Sequence, residues 1–320
     1  MSEPKRKVLV TGGAGFIGSH VADAYLAQGH QVWVVDNLSS GKLENVPAAA
    51  TFLEMDIRDQ EILDLFRDVG FDLVNHHAAQ IDVRVSVTDP CFDAEVNLLG
   101  LLNILEGARE VGTDRFVFVS SGGVVYGEPV DFPTPETAPK YPLSAYGVTK
   151  LTGELYLNYY RRVHGMEYVA LRYGNVFGPR QDPHGEAGVV AIFSRRLLAG
   201  EPLTIFGDGE QTRDYVFVGD VVSANMVVSD LSLANEGGMD SVAFNVGTGR
   251  GASVNLLAET LEEVAGVRPG RRFEPARAGE LRHSCLDARY LQAQGWACTR
   301  TLEEGLRETY EYIAKGRGAT

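Results

Sequence analysis

Lysine is scarce in this sequence. Only Lys5, Lys7, Lys42, Lys140, Lys150 and Lys315 occur in 320 residues, so a lysine inside a motif is seldom accidental. Basic residues number 29 against 43 acidic ones, a net charge of −14. That balance argues against nucleic acid or an anionic membrane as a partner, and an anionic ligand would need a local cluster of arginine. Cysteine is equally sparse: Cys91, Cys285 and Cys298 are odd in number and far apart. They have no metal-ligand spacing and exclude a disulfide framework, which suits reduced thiols in the cytoplasm. No apolar run approaches the ~18 residues of a membrane span. The start, MSEPKRKVLVTGG, sets basic residues before an apolar run, but glycines interrupt it too soon for a signal peptide. There is no internal repeat and no low-complexity tract.

Hydrophobic residues are 44% and charged residues 22%, an ordinary globular balance. The apolar runs VLV (8–10), VWVV (32–35), LVNH (73–76) and FVFVS (116–120) read as buried strands. Helix-length patterns lie between them at about 16–28, 58–69 and 92–111. Strands alternating with helices predict a parallel sheet covered on both faces. A helix over about 144–163, capped by Ser144, and a strand over 168–178 follow. Beyond 178 the pattern loosens, with a short strand at 242–247 and helices near 253–265 and 302–315. Five prolines make 129–142 a loop. The expected fold is α/β, a doubly wound parallel (Rossmann) sheet. Residues 1–177 are expected to bind a dinucleotide, and 178–320 to form a smaller, interleaved substrate domain.

The first strand runs into TGGAGFIGSH. Gly13, Gly15 and Gly18 fit G-x-G-x-x-G, and Gly12, Gly15 and Gly18 fit G-x-x-G-x-x-G. Glycine permits the tight turn and a close approach of backbone to pyrophosphate, which then faces a helix N-terminus. Asp36 ends the next strand, 21 residues past Gly15, where an acid binds the adenosine ribose. A carboxylate there accepts from free ribose hydroxyls and repels a 2′-phosphate, so NAD is expected over NADP. Asp56 and Ile57 follow another apolar run and could meet the adenine. Ala78, Ala79 and Gln80 follow the 73–76 strand, where small side chains let a cofactor pass.

Tyr146 and Lys150 are spaced i, i+4 and share one helix face. A free tyrosine, with a pKa near ~10, is a poor base at neutral pH. A nearby ammonium and a cationic nicotinamide ring would lower that value, letting the phenolate take a proton while hydride leaves the same carbon.

Taken together, TGGAGFIGSH, Asp36, VSS (119–121), YGVTK (146–150) and LRYGNVFGPRQ (171–181) resemble the extended short-chain dehydrogenase/reductases that act on nucleotide sugars. The likeness runs from about residue 6 to residue 315. AAQIDVRVSVTDP (78–90), GEAGVVAIF (185–193) and FGDGEQTRDYVFVGD (206–220) are similar to the branch that inverts UDP-hexoses at carbon 4. The resemblance implies tightly bound NAD, a UDP-sugar substrate, a transient 4-keto sugar and a homodimer. It adds Phe16, Ile17, Asn37, Ser39, Ser40, Gly41 and Asn97 to the residues around NAD, and it lets Lys150 hold the nicotinamide ribose.

In that family a Ser or Thr on the strand before the tyrosine helix assists the tyrosine. Counted back from Val125-Tyr126-Gly127, its place falls on Gly122. The role is assigned to Ser121, and Ser120 stays open for it. Members that eliminate water carry an Asp-Glu pair where Gly122 and Gly123 sit, and decarboxylases keep a Glu there. Glycine supplies neither acid nor base, so redox chemistry at one carbon is expected and nothing further. Two glycines also leave room for a keto-sugar to turn over, although a tight turn alone would explain them.

For the substrate, the resemblance places Arg213, Arg277 and Asn175 on the diphosphate, Glu280 on the uridine ribose and Val190 in the binding site. Bidentate guanidinium groups suit phosphate. Ser284 lies where a bulky tyrosine restricts the pocket to plain hexoses, so activity on UDP-N-acetylhexosamines is also expected. Arg84 offers a partner for a uronate carboxylate, which keeps UDP-glucuronate 4-epimerisation open. A nucleotide-sugar dehydratase or decarboxylase (a lyase) would compete with epimerisation, and so would a non-catalytic NAD-binding regulator. The 92–111 helix is apolar nearly all round over 96–105, and with the Tyr-rich 151–160 helix it could build a two-fold interface.

Overall fold

The computed structural model describes residues 5–182, 188–233, 237–276 and 281–317. Val8, Leu9 and Val10 are wholly buried in the first strand, β1 (Lys7–Thr11), as a strand covered on both faces must be. Five more strands join it: β2 (Gln31–Asp36), β3 (Thr51–Glu54), β4 (Leu73–His76), β5 (Arg115–Ser121) and β6 (Tyr168–Tyr173). The chain then leaves this sheet through β7 (Asn175–Phe177), β8 (Leu203–Phe206) and β9 (Thr212–Phe217), and returns with β10 (Ala243–Val246) beside β6. The order is β3-β2-β1-β4-β5-β6-β10, and all neighbours are parallel. The doubly wound expectation holds. The return of β10 threads the later part of the chain into the first sheet.

Helices cover both faces. On one lie α1 (Phe16–Ala27) and, from much later, α8 (Val218–Ser229). Against the other pack α2 (Glu61–Val69), α5 (Gly100–Val111) and α6 (Ala145–His164). In α2 the buried Ile62 and Phe66 are four residues apart, one apolar stripe on a charged helix. A Cβ on Gly107 of α5 would lie 2.4 Å from the Phe66 ring, so glycine sets the α2–α5 distance. Burial of each such phenylalanine contributes about 1.5–3 kcal/mol. The short helices α3 (Val83–Thr88) and α4 (Pro90–Ala94) precede a π-helical turn, Glu95–Leu99, that runs into α5. This turn interrupts the helix expected over 92–111.

A second core gathers α7 (Val189–Ala199), α9 (Val254–Ala265) and α11 (Leu302–Arg317) over β8 and β9. There β11 (Gly251–Ser253), β9 and β7 form a three-stranded sheet, and β12 (Arg271–Glu274) pairs with β8. The one-turn α10 (Arg289–Gln292) lies beside β10. The strand expected over 168–178 is broken at Gly174 into β6 and β7, which belong to different sheets. A Cβ at Gly174 would come within 2.8 Å of the Asp214 carbonyl, so close passage of another backbone forces the break.

Candidate active site

The strand order reverses between β1 and β4, where a doubly wound sheet opens a crevice at its carboxyl ends. Gly12, at φ +68°, makes the turn there, and a Cβ on it would lie 2.6 Å from the Ala78 amide nitrogen. A Cβ on Gly18 would strike the Gly12 carbonyl at 2.3 Å, so α1 packs as close to the turn as glycine allows. Gly15 caps α1 without a side-chain hydrogen bond, and no acid sits in the first turn. Phe16 and Ile17 open the helix there, its amide groups and positive dipole end uncapped for an anion.

Asp36 ends β2 and is 8% exposed. Its two oxygens accept from the Ala14 and Leu38 amides at 3.0 and 2.9 Å. Each keeps a lone pair for a ribose hydroxyl. Ser39 and Ser40 are exposed on the loop that follows, and a Cβ on Gly41 would press on Asp36 at 2.8 Å. Asn37 donates to Asp56 at 2.8 Å. The Arg58 guanidinium grips the same Asp56 and holds its carboxyl well below the usual range. Ile57 is buried against Gly100. Ala78 and Ala79 line the switch point half-buried. The Asn97 side chain is tied to the Gln80 backbone: it accepts from the Gln80 amide at 2.9 Å and donates to its carbonyl at 3.0 Å.

Tyr146 and Lys150 stand in the first turns of α6, whose start is capped by Ser144 accepting from the Gly147 amide at 3.1 Å. Lys150 is 3% exposed. Its Nζ donates to the Val119 carbonyl at 3.0 Å and lies 5.2 Å from the centre of the Phe118 ring. Burial pulls its pKa down to about 8, with Asp93 opposing. The Tyr146 phenol is pushed above its ordinary value by burial and then by Asp93, while a hydrogen bond with Ser121 offsets part of the rise. The Lys150 ammonium, itself lowered by burial, does not offset that rise as expected. The adjacent Ser120 faces the other way, donating to Glu154 Oε1 at 2.5 Å. Of the two serines, the structure therefore brings Ser121 to Tyr146.

The glycines after Ser121 differ from each other. A Cβ on Gly122 would lie 2.5 Å from Leu286 and 3.2 Å from the Arg172 carbonyl. One on Gly123 would meet only the Ser121 hydroxyl, at 3.8 Å. Leu286 belongs to a segment that crosses over the ends of β5 and β10 and also carries Ser284, which is 5% exposed. Asn175 on β7 lies in register with Tyr215 on β9. On β9, the half-buried Arg213 donates to the neighbouring Thr212 carbonyl, and among the described residues no carboxylate pairs with it. Val190 is buried in α7. Arg277 and Glu280 lie outside the described residues. Arg84 pairs with Asp82, the cap of α3, at 2.9 Å, which gives its charge a partner inside the chain. Sequence reasoning does not find Asp93, Thr149, His77 or Leu286. Thr149 and His77 adjoin recognisable motifs, but nothing local signals their partners.

The model of the NAD dependent epimerase/dehydratase family matches residues 8–247. The chain belongs to that family. A UDP-glucose 4-epimerase of Mycolicibacterium smegmatis is 45% identical over 313 residues, 96% of this chain and 98% of that protein. The Thermotoga maritima UDP-glucose 4-epimerase, solved with UDP-glucose, superposes with a TM-score of 0.93 at 48% identity over 97% of this chain and 99% of that one. The Thermus thermophilus UDP-glucose 4-epimerase, solved with NAD, gives 0.91 at 46% identity over 98% and 100%. Family membership makes NAD the cofactor, and the crevice fits it: a glycine cradle that a Cβ would fill, an uncapped helix start and a carboxylate at the ribose position.

Proposed function

We propose that this chain is a UDP-glucose 4-epimerase, interconverting UDP-glucose and UDP-galactose through a transient 4-keto sugar. The observation that carries this is Tyr146 with the Lys150 ammonium 5.7 Å from its ring centre, beside Ser121 at the end of a strand whose next two residues are glycine. The relatives of that name at 45–48% identity over nearly the whole chain support it. Held at the glycine turn and Asp36, NAD would supply reversible hydride transfer at carbon 4 of the sugar, so that hydride can return to the opposite face. Tyr146 takes the proton of the 4-hydroxyl and later gives it back, and Ser121 holds that hydroxyl in line. Lys150 keeps positive charge beside the phenol. Gly123 leaves space where the sugar turns, and with glycines at 122 and 123 no acid or base stands there for a lyase reaction.

Arg213 and Asn175, with Arg277, grip the diphosphate in this reading, Glu280 takes the uridine ribose, and Val190 and Ser284 line the sugar side. The small Ser284 admits an N-acetyl group, so UDP-GlcNAc is also turned over. A uronate substrate is not favoured, since Arg84 is already paired with Asp82. The division of labour broadly follows the chain, with 1–177 on NAD and 178–320 on the nucleotide sugar, while Asn175, Ser121 and Tyr146 reach the sugar nucleotide from the first part. Incubating the purified protein with UDP-galactose, and separately with UDP-GlcNAc, tests the reading by NMR. The C4 epimer of unchanged mass is expected from each, and a product lacking water or carbon dioxide contradicts it.

The enzyme is a cytoplasmic homodimer in this reading. Its three cysteines are free, and among the described residues no helix is long and apolar enough to cross a membrane. Leu155, Tyr156 and Tyr159 stand exposed on α6 and Leu99 on the π turn, an apolar face for a second copy. Sedimentation should give a dimer, and Tyr159→Arg should shift it toward monomer.

A further inference from the structure

Asp93 is wholly buried in α4, beneath the catalytic pair. Its Oδ2 accepts from the Thr149 hydroxyl at 2.8 Å. Its Oδ1 accepts from Gln80 Nε2 at 2.9 Å and from Asn97 Nδ2 at 3.1 Å. All three donors are neutral, and among the described residues Asp93 makes no ion pair. Thr149 immediately precedes Lys150, and its hydroxyl also lies 3.0 Å from the Tyr146 carbonyl. Asn97 sits in the π turn, an irregularity that recurs where a helix must present a particular group.

A buried carboxylate without a cation is costly. The hydrogen bonds alone do not require one: an asparagine could accept at Oδ1 and donate its amide to the Thr149 oxygen. The charge therefore has a further use. Lys150 and Tyr146 both respond to it. The remaining ionisable groups around them are engaged or neutral. His76 at the end of β4 and His77 just after it are held below the ordinary histidine range by burial and then by Lys150. Glu95 faces Arg58, and Glu154, farther along α6, is bound to Arg172.

We propose that Asp93 is a positioning residue for the epimerase reaction, fixing through Thr149 the turn of α6 that carries Tyr146 and Lys150 and setting a buried negative charge against both. This rests on the epimerase reading. In wild type, activity requires a deprotonated Tyr146 on the acid limb and a protonated Lys150 on the alkaline limb. Without the Asp93 charge the phenolate forms more easily and the ammonium is lost more easily, so both limbs move to lower pH.

The test is the kcat–pH profile of Asp93→Asn against wild type with UDP-galactose, and the activities of Thr149→Val and Thr149→Ser. Displacement of both limbs by roughly half a unit to one unit is expected. Thr149→Val should lose about tenfold in kcat with little change in KM, and Thr149→Ser should recover most of it. Limbs that stay in place in Asp93→Asn, or a Thr149→Ser no better than Thr149→Val, overturn the proposal. If Asp93→Asn does not fold, the Thr149 pair decides. Wild type without epimerase activity would instead defeat the reading on which this rests.

Discussion

The Lys150 ammonium lies 5.7 Å from the centre of the Tyr146 ring, one turn away on α6. Burial lowers the lysine to about 8 and raises the phenol. In the proposed reaction both Lys150 and the cationic ring of bound NAD would favour the phenolate. Tyr146→Phe is expected to lose about 10²–10⁴-fold in kcat. NAD affinity, measured by calorimetry, should change little.

Ser120 and Ser121 separate two roles that sequence alone leaves joined. Ser121→Ala should lower kcat about tenfold to a hundredfold at unchanged melting temperature. Ser120→Ala removes a donor from Glu154, whose partner Arg172 is, like it, fully buried. A loss of about 1–3 kcal/mol of stability is expected, read by urea unfolding, with kcat per folded molecule retained.

Gly122 and Gly123 should also part company. Gly122→Ala forces a methyl group into Leu286 and toward a carbonyl, and about 1–3 kcal/mol of destabilisation is expected from overpacking. Gly123→Ala meets nothing closer than the Ser121 hydroxyl, so its melting temperature should hold. If the space serves the turning sugar, kcat falls while the fold is untouched, and steady-state kinetics beside thermal unfolding decide it.

His77 makes the fold acid-sensitive. Its Nε2 is buried without a hydrogen-bond partner among the described residues, and burial, then Lys150, brings its pKa to about 3. Unfolded, it would titrate near ~6.5. Between those values the unfolded chain binds the extra proton, so stability falls as pH drops below about 6.5 and the loss is complete near 3. His76, also lowered, acts in the same direction. The unfolding free energy of His77→Leu, read by urea unfolding, should decline less steeply than that of wild type between pH 6.5 and 4, by up to about 3 kcal/mol.

Local signals were legible where one residue's neighbours along the chain determine its structure. LVNH is β4 to the residue, Ser144 caps α6, and the glycine turn between β1 and α1 has the geometry its spacing predicts. Contacts between distant segments were not. Gly174 looks like an ordinary strand residue until the Asp214 backbone passes beside it. Gly122 looks like a vacancy for chemistry until Leu286, far along the chain, fills the space. Likewise α8 carries an apolar pattern, VVSANMVV, that does not reveal which face of which sheet it covers. Asp93 and Thr149 meet from separate helices, and no spacing rule joins them.

The central claim is that one carbon of the sugar gives up and recovers its own hydrogen inside a closed site, while Tyr146 handles only the hydroxyl proton. Epimerisation of UDP-galactose in deuterium oxide, followed by NMR at carbon 4 of the product, measures this directly. UDP-glucose with ordinary hydrogen at carbon 4 and no deuterium there is expected once the two epimers reach equilibrium. Deuterium at carbon 4 would mean that the hydrogen passes through solvent, and would contradict it.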